Sequence, residues 1–202
     1  MPGQGSASTD IDDESAPPVA LLAPSMALLP AYRAALERGW LPDNVSGAKR
    51  TQDELARIAA DAPSFIAAQD DPEAKGPPYI VPDGTAYPRI PGYRRWIWDG
   101  SFCGFIGFRW QPGMAELPAH VLGHVGYGIV PWKRGRALAA RALNALLPDA
   151  RAKGLPYIEI STEETNMASR KTIERCGGEM VERFTSIGAY GATPRLRYRI
   201  AL

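Results

Sequence analysis

Residues 130–139 decide the fold, and they read Val130-Pro131-Trp132-Lys133-Arg134-Gly135-Arg136-Ala137-Leu138-Ala139. The preceding segment, His124–Val130, predicts a strand, whereas Gly135–Lys153 repeats its apolar residues with the period of a helix. A turn from a strand into a helix gathers backbone N–H groups and the positive end of the helix dipole at one point. The stretch therefore predicts an anion-binding site.

The side chains of this turn favour the same interpretation. Lys133, Arg134 and Arg136 bring positive charge, and charge-assisted hydrogen bonds to a diphosphate are their expected use. Gly135 and Ala137 leave room for a phosphate to approach the backbone. A solvated basic loop with an ordinary helix cap has the same composition, so these residues alone leave both interpretations open.

The segment 134–139 resembles the pyrophosphate loop of the GNAT superfamily of N-acetyltransferases, whose pattern is Gln or Arg, two residues, Gly, one residue, then Gly or Ala. Arg134 fills the first position and Ala139 the last, while Ala137 stands where the family usually has Gly. Downstream, Asn166-Met167-Ala168-Ser169 and Gly177-Gly178 are similar to the family's second conserved region. The resemblance runs from Pro24 to the C-terminus, and its elements occur in the right order.

A further similarity links the chain to a subgroup of bacterial GNAT proteins. That subgroup carries a His-(Ile/Val)-Gly-Tyr strand before the loop, and His124-Val125-Gly126-Tyr127 matches it. The resemblance implies an α/β (α+β) fold, with a mixed central sheet of about six or seven strands, about four flanking helices, and splayed fourth and fifth strands. The implied domain organisation is a disordered tail over residues 1–20 and a single GNAT domain over 21–202.

The resemblance also implies a cosubstrate, acetyl-CoA, and no metal. The pantetheine arm would lie between the splayed strands, pairing with free backbone groups of Ile129 and Val130, and Asn166 would hold it. The acceptor would be a primary amine of a small molecule or peptide that attacks directly in a ternary complex. The implied cofactor-binding residues are Ile129, Val130, Lys133, Arg134, Gly135, Arg136, Ala137, Leu138, Ala139, Asn166 and Ser169.

Few residues are candidates for the chemistry. The attacking amine must be neutral, so a base or a water chain must take its proton, and a backbone N–H near Tyr127–Ile129 would stabilise the oxyanion. His124 is a candidate base because its pKa suits neutral pH, although a hydrogen-bonded structural histidine fits the sequence equally. Many family members place a Tyr seven residues after the Asn as acid for the thiolate, and here that position is Ile173. Either Ser169 or water would then replace the Tyr, or the thiolate would leave unassisted. The weaker candidates are Glu116, His120, Glu159 and Glu163.

Composition narrows the function classes. The chain has 202 residues and a formal net charge of +1, which argues against a general nucleic-acid or membrane-surface binder. No apolar run approaches the roughly 20 residues that span a bilayer, and the acidic N-terminus does not resemble a signal peptide. We therefore expect a cytoplasmic protein, monomeric or homodimeric, with reduced Cys103 and Cys176. Two alternatives to the enzyme remain, a non-catalytic GNAT-fold CoA-binding module and a nucleic-acid binder that uses the basic turn.

Other elements are predicted from periodicity and turn chemistry. Ser25 is an expected helix N-cap, and Thr51 with Glu54 forms an expected capping box for a second helix. The proline-rich segment 70–92 is expected to be irregular. Asp99-Gly100 predicts a hairpin. The remaining predicted elements are strands at 94–98, 101–110, 157–162, 179–186 and 195–201, and a helix at 167–175.

Overall fold

Two sheets lie side by side in the computed structural model of the protein, which describes residues 18–42, 47–80, 85–186 and 192–202. The α-helices of these residues are α1 (Leu29–Glu37), α2 (Gly47–Ala60), α3 (Ala62–Ala67), α4 (Leu138–Ala152) and α5 (Met167–Arg175). The strands are β1 (Ala20–Leu22), β2 (Asp70–Asp71), β3 (Tyr79–Ile80), β4 (Ala86–Tyr87), β5 (Gly92–Trp98), β6 (Phe102–Arg109), β7 (Val125–Ile129), β8 (Tyr157–Glu163), β9 (Glu179–Thr185) and β10 (Pro194–Ala201).

The first sheet has the order β1-β5-β6-β7, with β2 also paired to β5, and the second has the order β8-β10-β9. Every strand pairing recorded within these sheets is antiparallel. β3 and β4 form a separate two-stranded ribbon. The predicted hairpin around Asp99-Gly100 is confirmed as β5 and β6, and the last two predicted strands pair as β9 and β10.

The two sheets meet at one point. The His124 N–H donates to the Glu159 carbonyl at 2.7 Å, and the Glu159 N–H donates to His124 Nδ1 at 2.9 Å. The backbone is close there, because a Cβ on Gly123 would lie 2.8 Å from the Glu159 oxygen. No strand pairing joins β7 and β8 among the described residues. The expected splay of the two central strands is thus present.

Two cores hold the elements around this junction. The larger one packs α4 against both sheets, and it includes Ile106, Phe108, Leu143, Leu146, Ile158 and Tyr198. The smaller one lies on the opposite face of the first sheet beneath α1 and α2, and it includes Tyr32, Trp40, Trp96, Phe102 and Phe105. The predicted aromatic hairpin is therefore mostly core. The Trp96 and Tyr32 rings stack with centroids 4.8 Å apart, an arrangement that adds to their burial energy.

Several local predictions are wrong, each for a physical reason. The Ser25 backbone carbonyl, not its side chain, accepts from Leu28 and Leu29, and the N-cap of α1 is Leu28. Thr51 lies inside α2, where its hydroxyl donates to the Trp40 carbonyl, and Glu54 is buried in an ion pair instead of capping the helix. Tertiary contacts thus override the capping signal.

The expected tail and the expected irregular segment also need correction. β1 begins at Ala20, inside the segment 1–20, because its backbone pairs with β5. Residues 1–17 lie outside the described part of the chain. The segment 70–92 contains the short strands β2, β3 and β4, which its prolines keep to two residues each.

Candidate active site

A cleft of about 1050 Å³ opens where β7 and β8 separate. One half of it, which we call the loop half, is lined by β7, β8, the start of α4 and one face of α5. The other half, which we call the arginine half, is lined by parts of α2, β5 and β6 and by residues 88–90 and 120–121. The gap between β7 and β8 is therefore part of one cleft that both groups of elements line.

The loop half ends at the turn into α4. Ala137 has a φ of +52° and caps the helix, whose first hydrogen bond runs from the Arg141 N–H to the Ala137 carbonyl at 3.0 Å. Within the described chain, the structure records no protein acceptor for the backbone amides of residues 135–140. These donors sit at the positive end of a 15-residue helix, which is the arrangement that binds phosphate. The prediction of an anion site at Gly135, Ala137, Leu138 and Ala139 stays a prediction, and these open donors are compatible with it.

Two of the predicted loop cations are paired with an acid. Lys133 Nζ donates to Asp99 Oδ1 at 2.5 Å, and Arg136 lies 3.2 Å from Asp99 Oδ2. Burial favours the neutral acid at Asp99, yet the hydrogen bond and charge of Lys133 lower its pKa to about 2. Lys133 therefore fixes the loop to the β5–β6 turn. Its assignment as a diphosphate ligand is corrected to a positioning role.

The backbone groups of β7 that face the gap belong to Tyr127 and Ile129, whereas Ile129 and Val130 were expected to face it. The Val130 N–H donates to Cys103 on β6 at 2.9 Å, and the Val130 carbonyl accepts from Lys133 at 3.0 Å. Alternation along the strand then turns the N–H and C=O groups of Tyr127 and Ile129 toward the gap. The Ile129 carbonyl accepts a 3.2 Å hydrogen bond from Arg134 Nε. Val130, which is fully buried, is thus not a cofactor contact.

The loop half is closed by α5. Asn166 Oδ1 caps this helix by accepting from the Ser169 N–H at 3.0 Å, and the Asn166 side chain lines the cleft. The Tyr127 hydroxyl lies 3.0 Å from Ser169 Oγ. Burial raises the pKa of Tyr127 to about 12 although Ser169 opposes the rise.

Ile173 is fully buried and does not reach the cleft. Sequence reasoning found Ser169 but overlooked the Tyr127 phenol, whose only sequence signal is its position two residues before Ile129.

His124 does not reach the cleft. Its side chain is fully buried at the junction of the two sheets, and its Nδ1 is occupied by the Glu159 N–H. Burial at this junction lowers the pKa of His124. It is the structural histidine considered as the alternative, and its assignment as the base is corrected. His120, by contrast, lines the arginine half, where its ring stacks on Tyr87 with centroids 4.0 Å apart.

Of the three carboxylate candidates, one lines the cleft and two do not. Glu116 is exposed and is not among the residues that line the cleft. Glu159 accepts from Arg197 at 2.9 Å and from Arg199 at 2.8 Å on the second sheet. Glu163 is half-buried and lines the cleft. Only Glu163 of these three is therefore placed to meet a bound molecule.

Comparison with known proteins identifies the architecture. The family profile described as "Acetyltransferase (GNAT) domain" matches residues 55–179, more than half of the chain. This protein belongs to the GNAT acetyltransferase family. Membership makes it an acyltransferase by family, and it confirms the predicted fold class. No curated protein sequence matches the chain.

Solved structures of other acetyltransferases share the fold. The acetyltransferase from Salmonella typhimurium that modifies the N-terminal serine of ribosomal protein L7/L12 is 12% identical with a TM-score of 0.61, covering 92% of this chain and 95% of that one. The microcin C7 self-immunity acetyltransferase MccE, solved with acetyl-CoA and AMP, is 12% identical with a TM-score of 0.55, covering 92% and 93%. An Agrobacterium tumefaciens acetyltransferase is 19% identical with a TM-score of 0.52, covering 99% and 100%. At these identities the likeness concerns the fold alone.

The described residues of this GNAT protein contain neither a metal-binding cluster nor a membrane-spanning helix. No group of three or more His, Cys, Asp or Glu side chains is arranged to hold a metal ion in the part of the chain that is described. In that same part, no helix combines the length and apolar character needed to cross a bilayer. Cys103 and Cys176 are both buried and free.

Proposed function

We propose that the protein transfers the acetyl group of acetyl-CoA to a primary amine, by direct attack in a ternary complex. One observation carries the proposal. In the part of the chain that is described, the amides of residues 135–140 have no recorded protein acceptor, and no strand pairing joins β7 to β8. Residues 135 and 137–140 line the same cleft as these two strands. The amides would hold the diphosphate, with Arg134 and Arg136 at the rim. The gap would take the pantetheine arm.

The residues of the gap suit acyl transfer. Acetyl-CoA supplies an activated acetyl group, and the amine nitrogen forms a bond to its carbonyl carbon as the C–S bond breaks. An N–H of Tyr127 or Ile129 that faces the gap would stabilise the negative oxygen of the tetrahedral intermediate. The proton lost by the amine goes to a base reached directly or through water, and His120 is the imidazole that lines the cleft.

Protonation of the departing thiolate is assigned to Tyr127 and Ser169. The phenol, whose pKa of about 12 keeps it protonated at neutral pH, lies 3.0 Å from the Ser169 hydroxyl. We expect Tyr127→Phe and Ser169→Ala each to lower kcat by about 10²-fold with little change in the KM of acetyl-CoA. The double variant should lose no more than either single one, because the two hydroxyls act as a unit. Additive losses would contradict the pairing.

The cofactor part of the proposal is tested by thermal unfolding. Acetyl-CoA at about 100 times its Kd adds about 2.7 kcal/mol to the free energy of unfolding, and Arg134→Glu should remove this gain. The matched control is Arg151→Glu, because Arg151 is exposed near the far end of α4. No stabilisation of the wild-type protein would refute the proposal.

Turnover is tested by thiol release from acetyl-CoA with a panel of amines. Release that depends on the amine supports the enzyme. Stabilisation by acetyl-CoA without turnover of any amine would favour a non-catalytic CoA-binding module.

A further inference from the structure

α5 divides its side chains between the second sheet and the cleft. On one side, Arg170 donates to the Tyr198 hydroxyl at 3.3 Å, and this hydroxyl donates to Glu174 at 2.8 Å. Four residues on the other side line the cleft, and they are Ala168, Lys171, Thr172 and Arg175. Their spacing of i, i+3, i+4 and i+7 places them on one face of the helix. α5 therefore presents a continuous face with two cations to a molecule in the loop half.

The two ends of α5 contact different parts of the loop half. Near its start, the Ser169 hydroxyl lies 3.0 Å from the hydroxyl of Tyr127 on β7. At its end, the Cys176 thiol donates to the Ala140 carbonyl, in the first turn of α4, at 3.5 Å. The end of α5 therefore adjoins the turn whose amides, at residues 135–140, would hold the diphosphate.

Lys171 and Arg175 belong to this end of the helix. Arg175 directly precedes Cys176, and Lys171 lies one turn before it. Both side chains are exposed, and within the described chain no hydrogen bond or ion pair is recorded for either of them. The acid next to Arg175 is Glu174, which accepts from Tyr198 on the opposite side of α5. Because like charges at i and i+4 destabilise a helix, this pair costs α5 stability unless an anion binds between the two groups.

The proposed cosubstrate carries one more anion than its diphosphate. CoA has a phosphate on the 3′-oxygen of its ribose, and such a phosphomonoester carries about two negative charges at neutral pH. The ribose is bonded directly to the diphosphate, so a diphosphate held by the amides of α4 keeps the 3′-phosphate near the same turn. Amides that bind a diphosphate would also accept ADP. A second contact is therefore needed to distinguish CoA from other nucleotides.

We infer that Lys171 and Arg175 bind the 3′-phosphate of CoA, and that they select CoA over nucleotides that share only its diphosphate. This inference rests on the proposed use of acetyl-CoA. Lysine and arginine bind phosphate through charge-assisted hydrogen bonds. Their position one turn apart lets both reach one phosphate from the same face of α5.

The test compares CoA with dephospho-CoA, which lacks only the 3′-phosphate. In calorimetric titrations we expect the wild-type protein to bind CoA about 5- to 30-fold more tightly, the range of charge-assisted contacts at an exposed site. This preference should shrink when KCl is raised from about 0.05 M to about 0.5 M, because salt screens exposed charges.

Variants connect the preference to the two cations. Lys171→Gln and Arg175→Gln should each lower it, and the double variant should bind CoA no more tightly than dephospho-CoA. The unliganded variants should unfold within a few degrees of wild type, since both side chains are exposed. The matched controls are Lys49→Gln on α2 and Arg151→Gln on α4, which remove exposed cations outside the cleft and should keep the preference.

Four outcomes would overturn the inference: equal affinity of the wild-type protein for both ligands, a preference that salt leaves unchanged, a preference that survives in the double variant, or its loss in either control. Binding of neither CoA nor dephospho-CoA would instead refute the proposed function.

Discussion

Asp99 connects the β5–β6 turn to the loop before α4. Its side chain is 4% exposed and faces both Lys133 and Arg136. Its pKa of about 2 lies below the value of about 3.9 expected in the unfolded chain. A carboxyl group with a lowered pKa stabilises the fold above its unfolded pKa, and this contribution disappears as the pH falls from about 4 to about 2.

We therefore expect Asp99→Asn to lower the free energy of unfolding by about 2 kcal/mol at pH 7. The difference from wild type should shrink as the pH is lowered from 5 toward 2.5 in urea titrations. Asp53→Asn, on the exposed face of α2, is the control and should change stability by less than about 0.5 kcal/mol. A difference that stays constant over this pH range would argue against the ion pairs.

Ala137 adopts a left-handed conformation, with a φ of +52°, at the position where the pyrophosphate loop usually has Gly. An L-residue in this region costs about 1–2 kcal/mol, and glycine offsets part of the gain through its unfolded-state entropy. Ala137→Gly should therefore raise the free energy of unfolding by about 0.5 kcal/mol. Ala139→Gly, inside the first turn of α4, should lower it by about 0.5–1 kcal/mol. Destabilisation by both variants in urea titrations would contradict the assigned backbone conformation.

At the scale of elements, the meeting of β7 and β8 depends on a glycine. A Cβ on Gly123 would lie 2.8 Å from the Glu159 oxygen and 3.2 Å from Ile160 Cα. Backbone atoms cannot move aside easily, so Gly123→Ala should destabilise the protein by about 1–3 kcal/mol. Gly107→Ala is the matched variant, because its Cβ would meet nothing closer than 3.6 Å.

The two alanine variants should separate stability from function. Gly107→Ala should leave the melting temperature within a few degrees of wild type. It should raise the KM of the acceptor, because the added methyl group would project into the cleft that Gly107 lines. Gly123→Ala should mainly lower the melting temperature. An equal loss of stability in both variants would show that Gly107 is packed more tightly than its described contacts indicate.

At the scale of the whole molecule, the proposed cosubstrate lies across the gap between two sheets. At about 100 times its Kd, acetyl-CoA should slow hydrogen exchange by up to about 100-fold at the amides of residues 135–140 and at Tyr127 and Ile129. The amides of α1, which pack in the smaller core away from the loop half, should be unaffected. Uniform slowing along the chain would indicate global stabilisation without contact at the loop.

The sequence-based predictions were correct where a structure depends on residues close together in the chain, and wrong where it depends on distant partners. Local signals located α4, the turn before it and the Asp99-Gly100 hairpin, because turn chemistry and periodicity depend on neighbouring residues. The role of Glu54 depends on Arg94 and Tyr32, 40 and 22 positions away along the chain, so a local capping box was the wrong interpretation. His124 was misassigned because its partner, Glu159, lies on another strand. The same limit concealed the pairing of Lys133 with Asp99.

Because Asp99 in the β5–β6 turn binds Lys133 in the loop before α4, the length of this hairpin sets where the loop is held. The distance from Asp99 to Lys133 is fixed by the number of residue pairs in β5 and β6, so adding one pair would carry the carboxylate about 3.4 Å further along the strand. Chimeras that exchange this hairpin among relatives should therefore preserve its length before its composition. A lengthened hairpin would fold with its own pairing intact and still leave the loop without its anchor.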